Sequence, residues 1–198
     1  MVNPRPYIYI NSWHGTGKHT IAKALESQLH GVARIVHNHQ HIDLVGALLP
    51  RSSAQYQQAR RDVRAVIFNS LATLPDTFNY IYIFTDFQTS NPLGHSVVHE
   101  YKAAAQSRGC DFIPIVLTCD AEVNAERIRS TERLDLVKSG KGMLVDASVL
   151  GGMRGEGEIF RAECEEMTEL DVTDLSPEEA AARIFGHVEG VLKRKIKG

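Results

Sequence analysis

The sequence has few cysteines, little net charge and no long apolar run. Its three cysteines, Cys110, Cys119 and Cys164, are too few for a disulfide framework and lack the paired spacing of a zinc site. They are therefore expected to be idle or buried thiols in a reducing compartment. No apolar run approaches the length of a membrane span, and no stretch of signal-peptide type precedes the first predicted strand. We expect a cytoplasmic protein that does not associate with membranes.

The charge balance also excludes a class of partner. The formal net charge is −2, and the arginines are not interleaved with aromatic residues as on nucleic-acid-binding surfaces. Nucleic acid is therefore not an expected partner. With 198 residues, 43% of them hydrophobic, the chain has the size and composition of one globular domain spanning residues 1–198.

Apolar strand patterns alternate with helical patterns along the chain. Such alternation predicts an α/β fold, in which a parallel sheet is built with right-handed crossovers. The polar stretch 130–157, with Lys and Gly throughout, is expected to be a small mobile lid. Strands are predicted at 7–10, 32–36, 80–84, 112–117 and 169–172, and helices at 18–29, 54–74, 94–107, 121–130 and from 177 onward.

Two of the predicted helices carry more detailed signals. The helix over 54–74 has an expected buried stripe that leaves Arg60, Arg61 and Arg64 largely off it. This stripe consists of Ala59, Val63, Ile67, Leu71 and Leu74. The last helix is preceded by a capping box, in which Ser176 is the N-cap and Glu179 the third helical residue.

A phosphate-binding loop is predicted between the first strand and the first helix. Gly15 and Gly17 allow the backbone N–H groups to point inward as an anion nest at a helix N-terminus. Lys18 can reach the β- and γ-phosphates of ATP. The residues predicted to contact the nucleotide from this loop are Trp13, His14, Gly15, Thr16, Gly17, Lys18, His19 and Thr20.

The loop departs from the usual motif at two positions. Ser12 replaces its first glycine, and His19 replaces the Ser or Thr whose hydroxyl binds Mg²⁺, an ion that prefers oxygen ligands. Either Thr20, about 100° further around the helix, supplies that hydroxyl, or other groups and water hold the metal. Asp86, at the end of the third strand, is expected to anchor Mg²⁺ through water. Thr20 and Asp86 are thus the predicted metal residues.

With these residues, the sequence resembles the nucleoside-monophosphate-kinase-like branch of P-loop proteins. Within that branch it is most similar to small-molecule kinases of the chloramphenicol phosphotransferase and tunicamycin-resistance type. The resemblance implies a three-layer P-loop fold with strand order 2-3-1-4-5, ATP as donor, and a hydroxyl-bearing acceptor over the end of the second strand. It is carried by the loop, by segments 37–43, 85–87 and 170–173, and by Arg127, Arg129 and Arg133.

The resemblance also implies roles for individual side chains. Kinases of this type often have an acidic base after the second strand, where this sequence has His39, with Asp43 one helical turn later. Both residues are chemically credible bases, and the choice between them stays open. Arg127 is expected at the nucleotide, and Arg129 or Arg133 at the transferred phosphate, although a solvated helix face is the alternative for all three.

The sequence thus predicts an ATP-dependent phosphotransferase that acts on a hydroxyl of a small molecule. A nucleotide-binding protein without transfer activity is the main alternative, because His19 weakens the magnesium site. A metal-dependent hydrolase is a second alternative, since His37, His39 and His41 would share one face of an extended strand. The acceptor itself and the oligomeric state have no signature in the sequence.

Overall fold

A five-stranded parallel sheet lies at the centre of the computed structural model, which describes residues 3–131, 135 and 144–197. Its strand order is 2-3-1-4-5, which confirms the predicted order. The strands are β1 (Tyr7–Ser12), β2 (Ala33–His37), β3 (Ile81–Asp86), β4 (Phe112–Thr118) and β5 (Thr168–Asp171).

Helices cover both faces of the sheet and its carboxyl edge. Within the described residues, they are α1 (Lys18–Gln28), α2 (His39–Gly46), α3 (Tyr56–Thr73), α4 (Pro92–Arg108), α5 (Ala121–Ile128), α6 (Ala147–Glu156) and α7 (Pro177–Lys197), with a 3-10 turn at Pro75–Thr77. None of these helices is both long and apolar enough to cross a membrane.

The two faces of the sheet bury different kinds of side chain. Successive residues of a strand point to opposite faces, so Ile8 and Ile10 of β1 join an aliphatic cluster with α1 and α7. Tyr7 and Tyr9 join an aromatic cluster with α3 and α4 on the other face. Strands β1 and β3 are buried on both faces, which explains why their sequences are nearly continuous apolar runs, whereas the edge strands β2 and β5 are partly exposed.

Helix α3 differs from its predicted orientation. Tyr56, Arg64, Phe68 and Leu71 are its buried residues, whereas Leu74 of the predicted stripe is 52% exposed. The buried face has therefore rotated to include an arginine. Arg64 can be buried because its guanidinium forms an ion pair with Glu100 of α4 at 2.7 Å, so its charge is compensated.

Part of the stretch predicted as a lid is a helix packed onto the domain. Helix α6 begins after Asp146, whose carboxylate accepts hydrogen bonds from the backbone N–H groups of Ser148 and Val149. Leu150 is buried in a third cluster with Trp13 and Ile128. Residues 132–134 and 136–143 of the predicted lid lie outside the described residues.

Candidate nucleotide-binding and acceptor site

The phosphate loop connects β1 to α1 through two glycines in the left-handed region. Gly15 has φ +80° and Gly17 has φ +95°, conformations that strain any residue with a Cβ. Gly17 precedes the first residue of α1, which is Lys18. The loop therefore ends at the N-terminus of α1, the position at which the anion nest was predicted.

Lys18 lies over its own loop. Its Nζ donates hydrogen bonds to the backbone carbonyls of Ser12 and Trp13, both at 3.2 Å. Thr16 donates from its hydroxyl to the same Trp13 carbonyl at 3.0 Å. These bonds hold the ammonium against the backbone of its own loop.

Asn124 of α5 supports the loop from behind. Its side-chain amide donates to the carbonyl of His14 at 2.8 Å, and its side-chain oxygen accepts from Arg154 of α6 at 2.9 Å. Asn124 is fully buried. A Cβ on Gly15 would lie 2.9 Å from the Asn124 amide nitrogen, so this close approach also requires glycine. The loop conformation thus depends on α5 and α6.

A cavity of about 710 Å³ opens in front of the loop. One wall is the phosphate loop, a second is the end of β2 with the start of α2, and a third is formed by α5 and the segment after β5. The lining residues are His14, Gly15, Thr16, Gly17, Lys18, His19, Thr20, Ile21, His37, Asn38, His39, Gln40, Asp43, Thr85, Arg127, Ser130, Val172, Leu175 and Pro177.

Besides His14, this cavity is lined by His19 from the start of α1, His37 from the end of β2 and His39 from the start of α2. The rings of His19 and His37 are 5.1 Å apart between centroids, and those of His37 and His39 are 6.2 Å apart. The prediction that His37, His39 and His41 share a strand face is wrong, because α2 begins at His39 and His41 is buried. No group of three or more His, Cys, Asp or Glu among the described residues could hold a metal ion.

Asn38 and Asp86 form a buried pair behind the cavity. The Asn38 amide donates to Asp86 at 2.8 Å, and the same carboxylate accepts from the backbone N–H of Phe87 and from the side chain of Gln88. Asp86 is 1% exposed, and β3 contributes Thr85 to the cavity lining. Asp86 does not itself line the cavity, because alternation along β3 directs it toward the α3 and α4 layer, and its expected role as a metal anchor stays a prediction.

Comparison with known proteins gives a fold but no sequence family. The sequence matches no model of a known protein family and no curated protein. A gluconokinase from Sinorhizobium meliloti matches with a TM-score of 0.60 and 15% identity, over 99% of this chain and 98% of its own. The APS kinase of Mycobacterium tuberculosis, in complex with AMPPNP and APS, matches with a TM-score of 0.60 and 16% identity, over 94% and 99%. The tunicamycin resistance protein of Deinococcus radiodurans has a TM-score of 0.57 and 16% identity, over 93% and 96%.

The chain has the fold of P-loop small-molecule kinases. This confirms the predicted fold class. Of the remaining predicted residues, Arg127 lines the cavity, whereas Trp13 and Arg129 do not.

The three predicted arginines differ in their position relative to the cavity. Arg127 lines the cavity, and its guanidinium donates to the carbonyls of Val172 and Thr173 at 3.0 and 2.9 Å. Arg129 ends α5 and is exposed without lining the cavity. Arg133 lies outside the described residues.

Trp13 contributes its backbone rather than its ring. The indole packs against Phe87, at 5.4 Å between centroids, and against Leu150 in the third cluster. The ring does not line the cavity. Trp13 contributes to the loop through its backbone carbonyl, which accepts hydrogen bonds from both Lys18 and Thr16.

Sequence reasoning missed several residues of the site. Asn38 and Thr85 follow the rule that the carboxyl ends of parallel strands face the ligand, and this rule was available from the sequence. Asn124 had no such signal, because its role depends on α5 lying behind the loop. The apolar wall of Val172, Leu175 and Pro177 was likewise visible only in three dimensions.

Proposed function

We propose that this protein is an ATP-dependent phosphotransferase that acts on a hydroxyl of a small molecule. The observation that carries the proposal is the continuity of one cavity. Lys18 and its loop form one end, and His39 and Asp43 approach from the other side of the same space. Phosphoryl transfer depends mainly on placing a donor and an acceptor in line, and a shared cavity supports this arrangement.

The residues present fit a nucleoside triphosphate. The backbone N–H groups between Gly15 and Lys18 suit the phosphates, and the Lys18 ammonium can move from the Ser12 and Trp13 carbonyls to a phosphate oxygen. Val172, Leu175 and Pro177 offer an apolar surface beside the Arg127 guanidinium, which suits a flat base. Bound ATP would supply the transferable phosphoryl group.

The side-chain oxygens that could bind magnesium in this cavity differ from the predicted pair of Thr20 and Asp86. Thr20 and Asp43 line the cavity and carry side-chain oxygens suited to Mg²⁺, while the Asp86 carboxylate is occupied by Asn38 and Gln88. We propose that Thr20 and Asp43 hold the ion with phosphate oxygens and water. Asp86 would act through Asn38, whose position it fixes.

The acceptor hydroxyl would be deprotonated from the α2 side of the cavity. His39 and Asp43 are one helical turn apart on α2, so both can face the same acceptor. If Asp43 contributes to metal binding, His39 is left as the base. The Lys18 ammonium would stabilise charge on the transferred group. Arg129 does not line the cavity, so its role at the transferred phosphate, like that of Arg133, stays a prediction of the sequence.

Loss of ATP turnover in Lys18→Ala tests the proposal. We expect magnesium-dependent ATP consumption with a panel of hydroxylated acceptors to fall by about 100-fold or more, since the ammonium acts on developing charge. Lys23→Ala is the matched control, because Lys23 is an exposed lysine of the same helix. Its turnover should equal that of the wild type.

The alternative function is nucleotide binding without transfer. His19 at the usual hydroxyl position and the enclosed Asp86 favour it. Wild-type protein that binds ATP but consumes none with any acceptor in the presence of Mg²⁺ would refute the phosphotransferase and leave this alternative.

A further inference from the structure

A row of polar side chains on α3 faces the protein interior next to the cavity. Tyr56, Arg60 and Arg64 follow one another at four-residue spacing, so they lie along one face of the helix. Tyr56 is 3% exposed and Arg64 2% exposed, while Arg60 is partly exposed at the rim. His41 of the adjacent α2 is 2% exposed. This polar layer is unusual in a helix–sheet interface, which is otherwise apolar.

Five polar atoms of the layer have no hydrogen-bonding partner among the described residues. They are both ring nitrogens of His41, the Tyr56 hydroxyl, Nε of Arg60 and Nη1 of Arg64. A buried polar atom without a partner costs about 1–3 kcal/mol, and native proteins contain few. Five such atoms in one layer require partners that the described residues do not supply.

The layer has more donors than acceptors. Arg64 uses Nε and Nη2 to bind Glu100, and Asp86 is occupied by Asn38, Gln88 and a backbone N–H. The unused atoms of Arg60 and Arg64 can only donate, whereas the Tyr56 hydroxyl and the neutral His41 ring can each donate and accept. Two guanidinium groups with spare N–H donors match an oxyanion, since arginine binds carboxylate and phosphate through paired hydrogen bonds.

The layer adjoins the acceptor side of the cavity. Asn38 lines the cavity and also binds Asp86. Asp86 lies close enough to His41 to influence its charge, as do Arg60, Arg64 and His37. Asn38 and Asp86 therefore connect the acceptor side of the cavity wall to the layer, although none of the four layer residues lines the cavity itself.

We propose that the acceptor carries a carboxylate or phosphate group, which Arg60, Arg64, Tyr56 and His41 bind while its hydroxyl faces the phosphate loop. This inference rests on the proposed function and narrows its substrate class to anionic hydroxy compounds. Arg60, at the rim, would make the first contact, and the Glu100 pair would keep Arg64 in position.

Calorimetric binding in the presence of saturating ADP tests the inference, because ADP occupies the phosphate loop. The probes are glycerate and gluconate as carboxylates, glycerol 3-phosphate and glucose 6-phosphate as phosphates, and glycerol and glucose as neutral counterparts. We expect one anionic class to bind at least about tenfold more tightly than its neutral counterparts, and the stronger class identifies the group. Equal binding of neutral and anionic probes, or no anionic binding, would overturn the proposal.

Variants on α3 separate binding from folding. Arg60→Gln should weaken the anionic probes at least about tenfold, whereas Arg51→Gln, which changes an exposed arginine between α2 and α3, should leave them unchanged. Tyr56→Phe should weaken them severalfold without lowering Tm, since its hydroxyl has no partner among the described residues. Equal effects of Arg60→Gln and Arg51→Gln, or a loss of binding in Tyr56→Phe only in proportion to lost stability, would contradict the role.

The binding readout is independent of phosphoryl transfer. If the anionic probes bind as expected but ATP is never consumed, the phosphotransferase is refuted and the anion site stands. If ATP is consumed with neutral acceptors only, the phosphotransferase stands and the anion site is refuted.

Discussion

His19 is the residue that weakens the expected magnesium site of the phosphate loop. It lines the cavity at the position where such loops usually carry a hydroxyl, and its ring lies 5.1 Å from that of His37. Imidazole is a poor ligand for Mg²⁺, and the hydroxyl of Thr20 starts one residue later on α1. Whether Thr20 compensates can be measured directly.

His19→Ser should strengthen magnesium use. The new hydroxyl would stand at the usual position, so we expect the Mg²⁺ concentration for half-maximal ATP turnover to fall by about tenfold, equivalent to roughly 1.4 kcal/mol. A magnesium titration of turnover measures this. Thr20→Val should reduce turnover in the wild type and have a smaller effect in the His19→Ser background. An unchanged magnesium requirement in His19→Ser would show that the metal does not depend on this position.

At the residue scale, the sequence predicted the groups that act through local geometry. Gly15, Gly17 and Lys18 lie within four residues of one another, so their spacing alone predicted the turn that leads into α1. The environment of Asp86 required knowledge of which sheet face it points to and of its bonds to Asn38 and Gln88. Such contacts join distant segments, and no spacing along the chain encodes them.

At the scale of elements, helices α5 and α6 hold the loop that α1 begins. Asn124 joins the His14 carbonyl to Arg154, and Arg154 also donates to the Cys119 carbonyl. The Arg154 guanidinium lies 5.8 Å from the centre of the Trp13 ring. The loop is therefore supported by two helices whose residues Asn124 and Arg154 follow His14 by 110 residues or more in the sequence.

Gly15→Ala should disrupt this support more than Gly17→Ala does. Both positions have positive φ, which strains alanine by about 1–2 kcal/mol. Only at Gly15 does the new Cβ approach other groups closely, at 2.9 Å from the Asn124 amide and 3.3 Å from Ile128. We expect Gly15→Ala to lower the free energy of unfolding by roughly 2–4 kcal/mol and to weaken ATP binding, as urea unfolding and calorimetry would measure.

Gly31→Ala supplies the control for strain alone. Gly31 has φ +81° with no atom within 4 Å of its added Cβ, and it lies away from the cavity. It should cost about 1–2 kcal/mol and leave ATP binding unchanged. Equal losses of stability at Gly15, Gly17 and Gly31 would show that contact with α5 does not constrain the loop.

Element prediction succeeded where one physical signal dominated. The buried strands were found because burial on both faces requires apolar runs. Helix α7 was found from its cap, where Ser176 and Glu179 exchange the predicted backbone bonds. The orientation of α3 was missed because apolar periodicity cannot anticipate that Glu100 neutralises a buried Arg64. Helix α6 was missed because its glycines are typical of a loop, whereas the helix depends on the Asp146 cap and on the burial of Leu150.

At the scale of the whole molecule, the two layers around the sheet differ in composition, and we expect their stability to depend differently on pH. The α1 and α7 layer is aliphatic, whereas the α2 and α3 side buries His41. Burial lowers the pKa of His41 from 6.5 to about 4. The Asp86 charge opposes this decrease, and the charges of Arg64, Arg60 and His37 add to it. Because the folded state keeps this histidine neutral while the unfolded chain protonates it, protons favour unfolding.

Stability should therefore fall as the pH is lowered from about 6.5 toward 4, and His41 should account for a large share of the loss. The contribution is fully present above pH 6.5 and disappears as the pH falls through the folded-state pKa, a loss of up to about 3 kcal/mol. Urea unfolding at a series of pH values should give a shallower dependence for His41→Gln than for the wild type. His30→Asn, at an exposed position with φ +47°, should keep the wild-type slope, because asparagine tolerates that conformation. The same slope in His41→Gln and in the wild type would mean that other groups carry the acid sensitivity of the fold.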